Sequence, residues 1–243
     1  MSQQKIEPMD IIEAAKFFNL SLSPEQVVLF ERYLKFLLQE NEKYNLTRIL
    51  DPEDILEEHF LDSLAGLKEA HDMTGPSLLD LGSGAGFPGL PLKIFLPHLK
   101  VTLLDSSRKK VDFLSLVIKD LDMKEVTPIH QRAEDLGRGG GREAYSWVTA
   151  RALAPLVVTS EIALPLVSVG GFMWSLKGPA AFDELSEAED IIKICGGKLV
   201  KTISYILPRT GKTRNILIFE KIKPTDSSFP RKAGIPQKRP YKK

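Results

Sequence analysis

Between Leu78 and Gly89 the chain reads Leu-Leu-Asp-Leu-Gly-Ser-Gly-Ala-Gly-Phe-Pro-Gly. No other stretch limits the possible folds as strongly. Leu78, Leu79 and Leu81 form a short, continuous apolar run, which suits a strand buried on both faces of a parallel sheet. Gly82, Gly84 and Gly86 then allow a tight turn and close approach of the backbone to a ligand, and Pro88 suits the first turn of a following helix. Strand, glycine turn, helix is the opening of nucleotide-binding α/β folds.

Gly84, Gly86 and Gly89 also fit the Gly-x-Gly-x-x-Gly spacing of dinucleotide sites. Asp80 weighs against a pyrophosphate, which prefers bare amides at a helix N-terminus, and favours a cationic ligand. S-adenosyl-L-methionine, with its ammonium and sulfonium, is such a ligand; a glycine turn without any ligand is the bland alternative. The next apolar run, Val101 to Leu104, ends at Asp105, about twenty residues beyond the glycines, where a carboxylate can accept from both ribose hydroxyls of a nucleoside. The two features together are far more specific than either alone.

Strand and helix patterns then alternate. Val126 to Ile129 reads as a third strand, with Ala133-Glu134 just past it, in a turn that would flank an adenine; Glu134 reads almost equally well as a solvated loop charge. Gly137 to Gly141 reads as a mobile loop. Tyr145 to Thr149 is a fourth strand leading into Ala150-Arg151-Ala152, and Gly171 to Leu176 a fifth, ending at Lys177. After a helix over 181–195, Lys198 to Leu207 and Arg214 to Lys221 are joined by a short connection containing Gly211, which predicts an antiparallel hairpin. This pattern resembles the seven-stranded sheet of class I methyltransferases.

Residues 8 to 75 read as helices. Ser23-Pro24-Glu25-Gln26 is a capping box with proline at the first helical position, followed by Val27, Phe30, Leu34, Leu37 and Leu38 at helical spacing. A second helix starts at Asp51-Pro52 and runs to Gly75-Pro76, with Tyr44 to Arg48 between them as a loop facing the site. His59 and Asp62 on that second helix read as surface or packing residues. The expected organisation is an N-terminal helical extension (1–75), a cofactor-binding core (76–222) and a basic, proline-rich tail (223–243), the tail extended because its prolines oppose a helix.

Charge sharpens the last point. The chain carries +1 overall, yet from Ile222 onward seven basic residues, Arg231 and Lys232 among them, stand against Asp226 alone, which suggests a polyanionic partner. The lone Cys195 excludes an internal disulfide and a multi-thiolate zinc site, and it reads as a small buried residue. No metal site is expected. No apolar run approaches a membrane span and no signal-peptide pattern appears, so a soluble, cytoplasmic protein without a membrane partner is expected. The oligomeric state is open.

In an open parallel sheet, Asp80, Asp105, Arg151 and Lys177 would gather beyond the strand ends around one crevice. The fourth strand ends in Ala-Arg-Ala rather than the Asn/Asp-Pro-Pro-aromatic motif of exocyclic-amine methylation. Cys195 is badly placed as a nucleophile for pyrimidine carbons, and Arg151 stands where ribose methylation wants an aspartate. An acceptor already nucleophilic without proton loss, such as guanine N7, is what remains.

Tyr44-Asn45-Leu46-Thr47, His59-Phe60-Leu61-Asp62-Ser63, Asp80 to Gly89, Leu104-Asp105-Ser106, Arg132-Ala133-Glu134, Arg151-Ala152, Lys177-Gly178 and the basic tail together resemble the bacterial small-subunit rRNA guanine-N7 methyltransferases, also called glucose-inhibited division protein B. The resemblance covers nearly the whole chain. It implies that Gly82, Gly84, Phe87, Asp105, Ser106, Ala133, Glu134 and Arg151 line an S-adenosyl-L-methionine site, joined by Asp80 on the reading above. It also implies that the partner is 16S rRNA or the small ribosomal subunit, methylated in the decoding-region loop. Arg151 and Lys177 are the candidates for the reaction, acting by orientation, and Asn45, Lys177, Arg214, Arg231 and Lys232 for RNA contact. Two other classes stay open: a methyltransferase for small molecules or proteins, and an RNA-binding assembly protein with a vestigial pocket.

Overall fold

The computed structural model describes residues 8–69 and 75–242. Seven strands form one sheet in the order β3-β2-β1-β4-β5-β7-β6: β1 (Ser77–Leu81), β2 (Lys100–Asp105), β3 (Val126–His130), β4 (Tyr145–Arg151), β5 (Val167–Lys177), β6 (Gly197–Ile206) and β7 (Thr213–Lys221). The first five are parallel, and β7 runs antiparallel to both β5 and β6. This is the expected class I sheet with its terminal hairpin. Chain order reverses between β1 and β4, so a crevice opens beyond their carboxyl ends, at a topological switch point. Strand β1 sits there because Leu78, Leu79 and Leu81 are buried on both faces, in two different apolar clusters.

Helices cover both faces: α5 (Gly89–Phe95), α6 (Arg108–Asp120), α7 (Ala133–Arg138), α8 (Leu156–Ala163) and α9 (Ala181–Ile194). Upstream, α1 (Pro8–Phe17) and α2 (Pro24–Tyr44) precede the sheet, and α2 carries the predicted capping box between Ser23 and Gln26. Its apolar stripe, Val27, Phe30, Tyr33, Leu34 and Leu37, joins the same cluster as Leu78, Leu103 and Phe113. The helical segment and the sheet therefore share one core face across the position where a domain boundary was expected.

The second predicted helix departs from regularity. It comprises α3 (Pro52–Ile55), a π-helical stretch over Leu56–Leu61, α4 (Asp62–Leu64) and a 3-10 turn over Ala65–Glu69; its expected end lies partly outside the described residues. π-helical turns reset which residues share a face, and here the reset lies in the segment carrying Glu58, His59 and Asp62.

The glycine run at 137–141 finishes α7 and turns, with the amides of Gly139 and Gly141 both donating to the Leu136 carbonyl. One further expectation gives way. The tail is not simply extended: it folds back against α7 and α8 and contains the short helix α10 (Ile235–Lys238), begun by Gly234 in the left-handed region and tolerating Pro236 in its first turn. Among the described residues, no helix is long and apolar enough to cross a membrane.

Candidate functional site

Two cavities meet at the carboxyl edge of the sheet. The first, about 360 Å³, is lined by Gly82, Asp105, Ser106, Gln131, Ala133, Glu134 and Arg151, among others. The second, about 540 Å³, is lined by His59, Asp62, Arg151, Lys177, Tyr205 and Arg214, among others. They share one wall, Arg151 to Ala154. Within that wall Ala152 adopts φ 49°, a left-handed conformation that side-chain-bearing residues rarely take and that clusters at ligand sites.

The first cavity is built on the glycine turn. Gly82, Gly84 and Gly86 all have positive φ, 71°, 59° and 102°. A methyl group on Gly84 would meet nothing closer than the Gly82 carbonyl at 3.9 Å, so this glycine answers to backbone conformation rather than crowding. Across the turn Asp105 is buried, its Oδ2 accepting from the Gly84 amide at 3.0 Å and its Oδ1 from the Ser107 amide at 2.8 Å. Lys110 lies 3.6 Å from Oδ2. Each carboxylate oxygen retains acceptor capacity, which suits a vicinal diol, and the volume falls in the range of small-molecule sites. A nucleoside cofactor fits these residues.

Asp80 is not on the crevice. It is fully buried behind the turn, where Oδ2 accepts from the Gly89 amide at 2.9 Å and Oδ1 from the Thr149 hydroxyl at 3.4 Å. Its carboxylate organises the start of α5 instead of facing a cationic ligand, and desolvation raises its pKa to about 6. Pro88 caps α5 rather than opening its first turn. Gly84 and Phe87 are not among the lining residues either: Gly84, half-buried, braces Asp105 through its amide, and Phe87 is buried. Phe87 stacks on His59, ring centroids 4.6 Å apart, and on Tyr33, with the Arg151 guanidinium 5.1 Å from its centroid. Tyr33 in turn donates from its hydroxyl to the Ala85 carbonyl, tying α2 to the glycine turn.

The second cavity holds an ion cluster that the sequence reading left as surface or packing. Asp62, buried, receives Arg151 Nη1 at 3.3 Å, Arg214 Nε at 3.2 Å and the Tyr205 hydroxyl at 2.8 Å. Glu58, also buried, pairs with Arg214 at 3.2 Å and Lys212 at 2.6 Å. Buried charges persist when they are paired in this way. The available signal was an apolar-rich helix, Ile55, Leu56, Phe60, Leu61 and Leu64, with Glu57, Glu58 and Asp62 inside it: carboxylates on a buried helix require cations from elsewhere. Lys177 donates to the Ala154 carbonyl at 2.5 Å and to Glu184 at 2.8 Å, leaving one ammonium hydrogen.

Asn45, Arg231 and Lys232 line neither cavity. Asn45 is exposed and caps α2 in the left-handed conformation, φ 49°. Arg231 donates to fully buried Glu161 from Nε at 2.8 Å and Nη2 at 2.6 Å, so its charge serves to fix the tail. Lys232 is exposed. Cys195 is buried, its thiol pushed up to about 12 by desolvation, as a structural cysteine would be.

Comparison with known proteins agrees with this geometry. The family model described as rRNA small subunit methyltransferase G matches residues 26–212. Curated relatives named ribosomal RNA small subunit methyltransferase G include one from Lactococcus lactis subsp. cremoris strain MG1363, 43% identical over 237 residues, covering 97% of this chain and 99% of the relative. Another, from Alkaliphilus oremlandii, is 43% identical over 239 residues, 98% and 100% of the two chains. Among solved structures, the YcgJ protein of Bacillus subtilis superposes with a TM-score of 0.51 at 14% identity, over 66% of this chain and 97% of that one; the likeness concerns the fold alone.

Proposed function

The chain belongs to the rRNA small subunit methyltransferase G family, and on that premise we propose that it methylates guanine N7 in small-subunit rRNA, using S-adenosyl-L-methionine. The shared wall from Arg151 to Ala154 carries this reading, because a donor in one cavity and an acceptor in the other would face each other across it. The cofactor, when bound, supplies an electrophilic methyl group on its sulfonium.

In this reading Asp105 accepts the ribose hydroxyls, the Gly82 turn lets backbone approach the cofactor closely, and Ala133 and Glu134 flank the base. Arg151, touching both cavities, orients rather than abstracts: arginine stays protonated in proteins. Lys177 directs its free hydrogen toward the acceptor's carbonyl or a phosphate. A ring nitrogen with a free lone pair loses no proton before attack, so holding the reacting atoms in line is the main task left to the protein. Arg214, paired with Glu58 and Asp62, shapes the acceptor side. Lys232, Lys238, Arg239 and Lys242 are exposed and supply the phosphate contacts of the tail. In this division the N-terminal extension (1–75) contributes Ile49, Glu58, His59 and Asp62 to the acceptor side, 76–222 would be the cofactor core and 223–243 the RNA-contacting tail.

The decisive experiment incubates the protein and methyl-labelled cofactor with 16S rRNA and with small subunits, then maps the label. Label on N7 of a single guanine in the decoding-region loop is expected. Equal transfer to free guanosine would favour the small-molecule class. RNA binding with no cofactor affinity by calorimetry would favour an assembly protein.

A further inference from the structure

One wall of the first cavity comes from outside the sheet: Gly234 and Gln237 line it beside Ala133 and Glu134. Three anchors hold this segment in place. The Gly234 amide donates to Glu134 Oε1 at 2.8 Å. Arg231 grips Glu161 through two nitrogens, and Arg142 donates to the carbonyls of Thr225 and Phe229, both at 2.8 Å. The anchoring groups leave the Gln237 carboxamide free for the cavity, with two donors and an acceptor.

The lining residues follow one another along the sheet edge: Arg151 at the end of β4 and Gly82 after β1, then Asp105 at the end of β2, then Gln131 to Glu134 after β3. A nucleoside whose ribose meets Asp105 and whose reactive end lies toward the shared wall must set its base at the β3 end. Glu134, the contact of Gly234, stands there. We propose that Gln237 reads this base as adenine, its carboxamide pairing with the N6 amino donor and the adjacent N7 acceptor, the match by which glutamine recognises adenine. The proposal deepens the cofactor reading above and rests on it. It also makes the tail part of the cofactor site, where charge alone had suggested only an RNA contact.

The test is calorimetric titration with S-adenosylhomocysteine and its 6-oxo counterpart S-inosylhomocysteine. Three proteins are compared: the full chain, Gln237→Ala, and a chain ending at Ala233 that keeps the Arg142 and Arg231 anchors. Thermal melting verifies that each is folded. Gln237→Ala should weaken the adenosyl ligand about three- to tenfold, the scale of neutral hydrogen bonds, and narrow the preference over the inosyl form. The shortened chain should lose at least as much. An unchanged preference in Gln237→Ala overturns the proposal, whatever the shortened chain does. No measurable affinity of the full chain for S-adenosylhomocysteine overturns the cofactor reading itself.

Discussion

Arg151 determines which nitrogen of His59 carries the proton. Its Nη2 lies 3.1 Å from His59 Nδ1, and since a guanidinium can only donate, Nδ1 must accept. The proton therefore sits on Nε2 and is donated to the Thr47 hydroxyl at 2.9 Å, which also accepts from the Ile49 amide. Burial, reinforced by the Arg151 charge, lowers the His59 pKa to about 3. His59 is thus a neutral strut between the loop after α2 and the seam of the two cavities.

Stability should respond to pH accordingly. A histidine depressed in the folded state binds its proton more readily in the unfolded chain, so its contribution is complete above about 6.5 and is lost as pH falls toward about 3. Urea unfolding at pH 7.5 and 5 should show a loss on acidification that His59→Gln reduces. An identical loss in both proteins would reject the neutral-strut assignment.

Asp80 slopes the other way. Its folded pKa is raised to about 6 from 3.8, so the folded state holds the proton more tightly and stability declines as pH rises between those values, then levels off. Asp80→Asn removes that decline, and its stability relative to wild type should grow from pH 4 to 6. Affinity for S-adenosylhomocysteine should change only a few-fold, because the side chain faces Gly89 and not the cavity. A hundredfold loss of affinity in the folded variant would restore Asp80 to the ligand.

Asp105 is the converse case. Charge-assisted hydrogen bonds contribute roughly 1.5–3 kcal/mol each, so Asp105→Ala should weaken the cofactor at least tenfold by calorimetry. Some stability should go with it, since the Gly84 and Ser107 amides lose their acceptor. Wild-type affinity in the folded variant would remove Asp105 from the site.

The Arg231–Glu161 pair should be asymmetric to mutation. Glu161 is fully buried, whereas the Arg231 side chain is 28% exposed. Arg231→Ala strands a buried carboxylate, at a cost on the order of 3–5 kcal/mol. Glu161→Ala leaves a guanidinium that can turn to water and should cost less. Equal unfolding free energies for the two variants would contradict this.

Single-turnover methyl transfer should be nearly flat from pH 7 to 9, because no proton leaves the acceptor before attack and Arg151 stays charged. Lys177→Ala should lower the rate without altering the profile. A tenfold rise per pH unit that Lys177→Ala abolishes would identify the lysine as a base and reopen the choice of acceptor atom.

What could be read in advance was local. Leu78 to Gly89 and Val101 to Asp105 each combine burial pattern and turn chemistry within a dozen residues, and they sit in the sheet as expected. The Asp62 cluster was not legible in this way, because Arg151, Tyr205 and Arg214 reach it from 89 to 152 positions away, and no periodicity encodes such a meeting. The π-helical stretch adds to the difficulty by shifting the helix face at the residues concerned. Asp80 misled because an acidic residue before glycines looks the same whether it faces a ligand or the turn. In the tail, net charge does not reveal that Arg231 is already neutralised by Glu161.

Tyr33 clasps the glycine turn through the Ala85 carbonyl, and Asp62 clasps the end of β4 through Arg151. Both cavities therefore lean on the upstream helices, but unequally. Residues 76–222 contain every lining residue of the cofactor cavity except Gly234 and Gln237, although a graft behind foreign helices would lose the Tyr33 and Asp62 braces. The acceptor cavity would arrive without Ile49, Glu58, His59 and Asp62. Its two arginines would then face each other with no carboxylate between them. A change of acceptor would thus require coordinated change in the helices and the hairpin, whereas most of the cofactor lining lies within one stretch of chain.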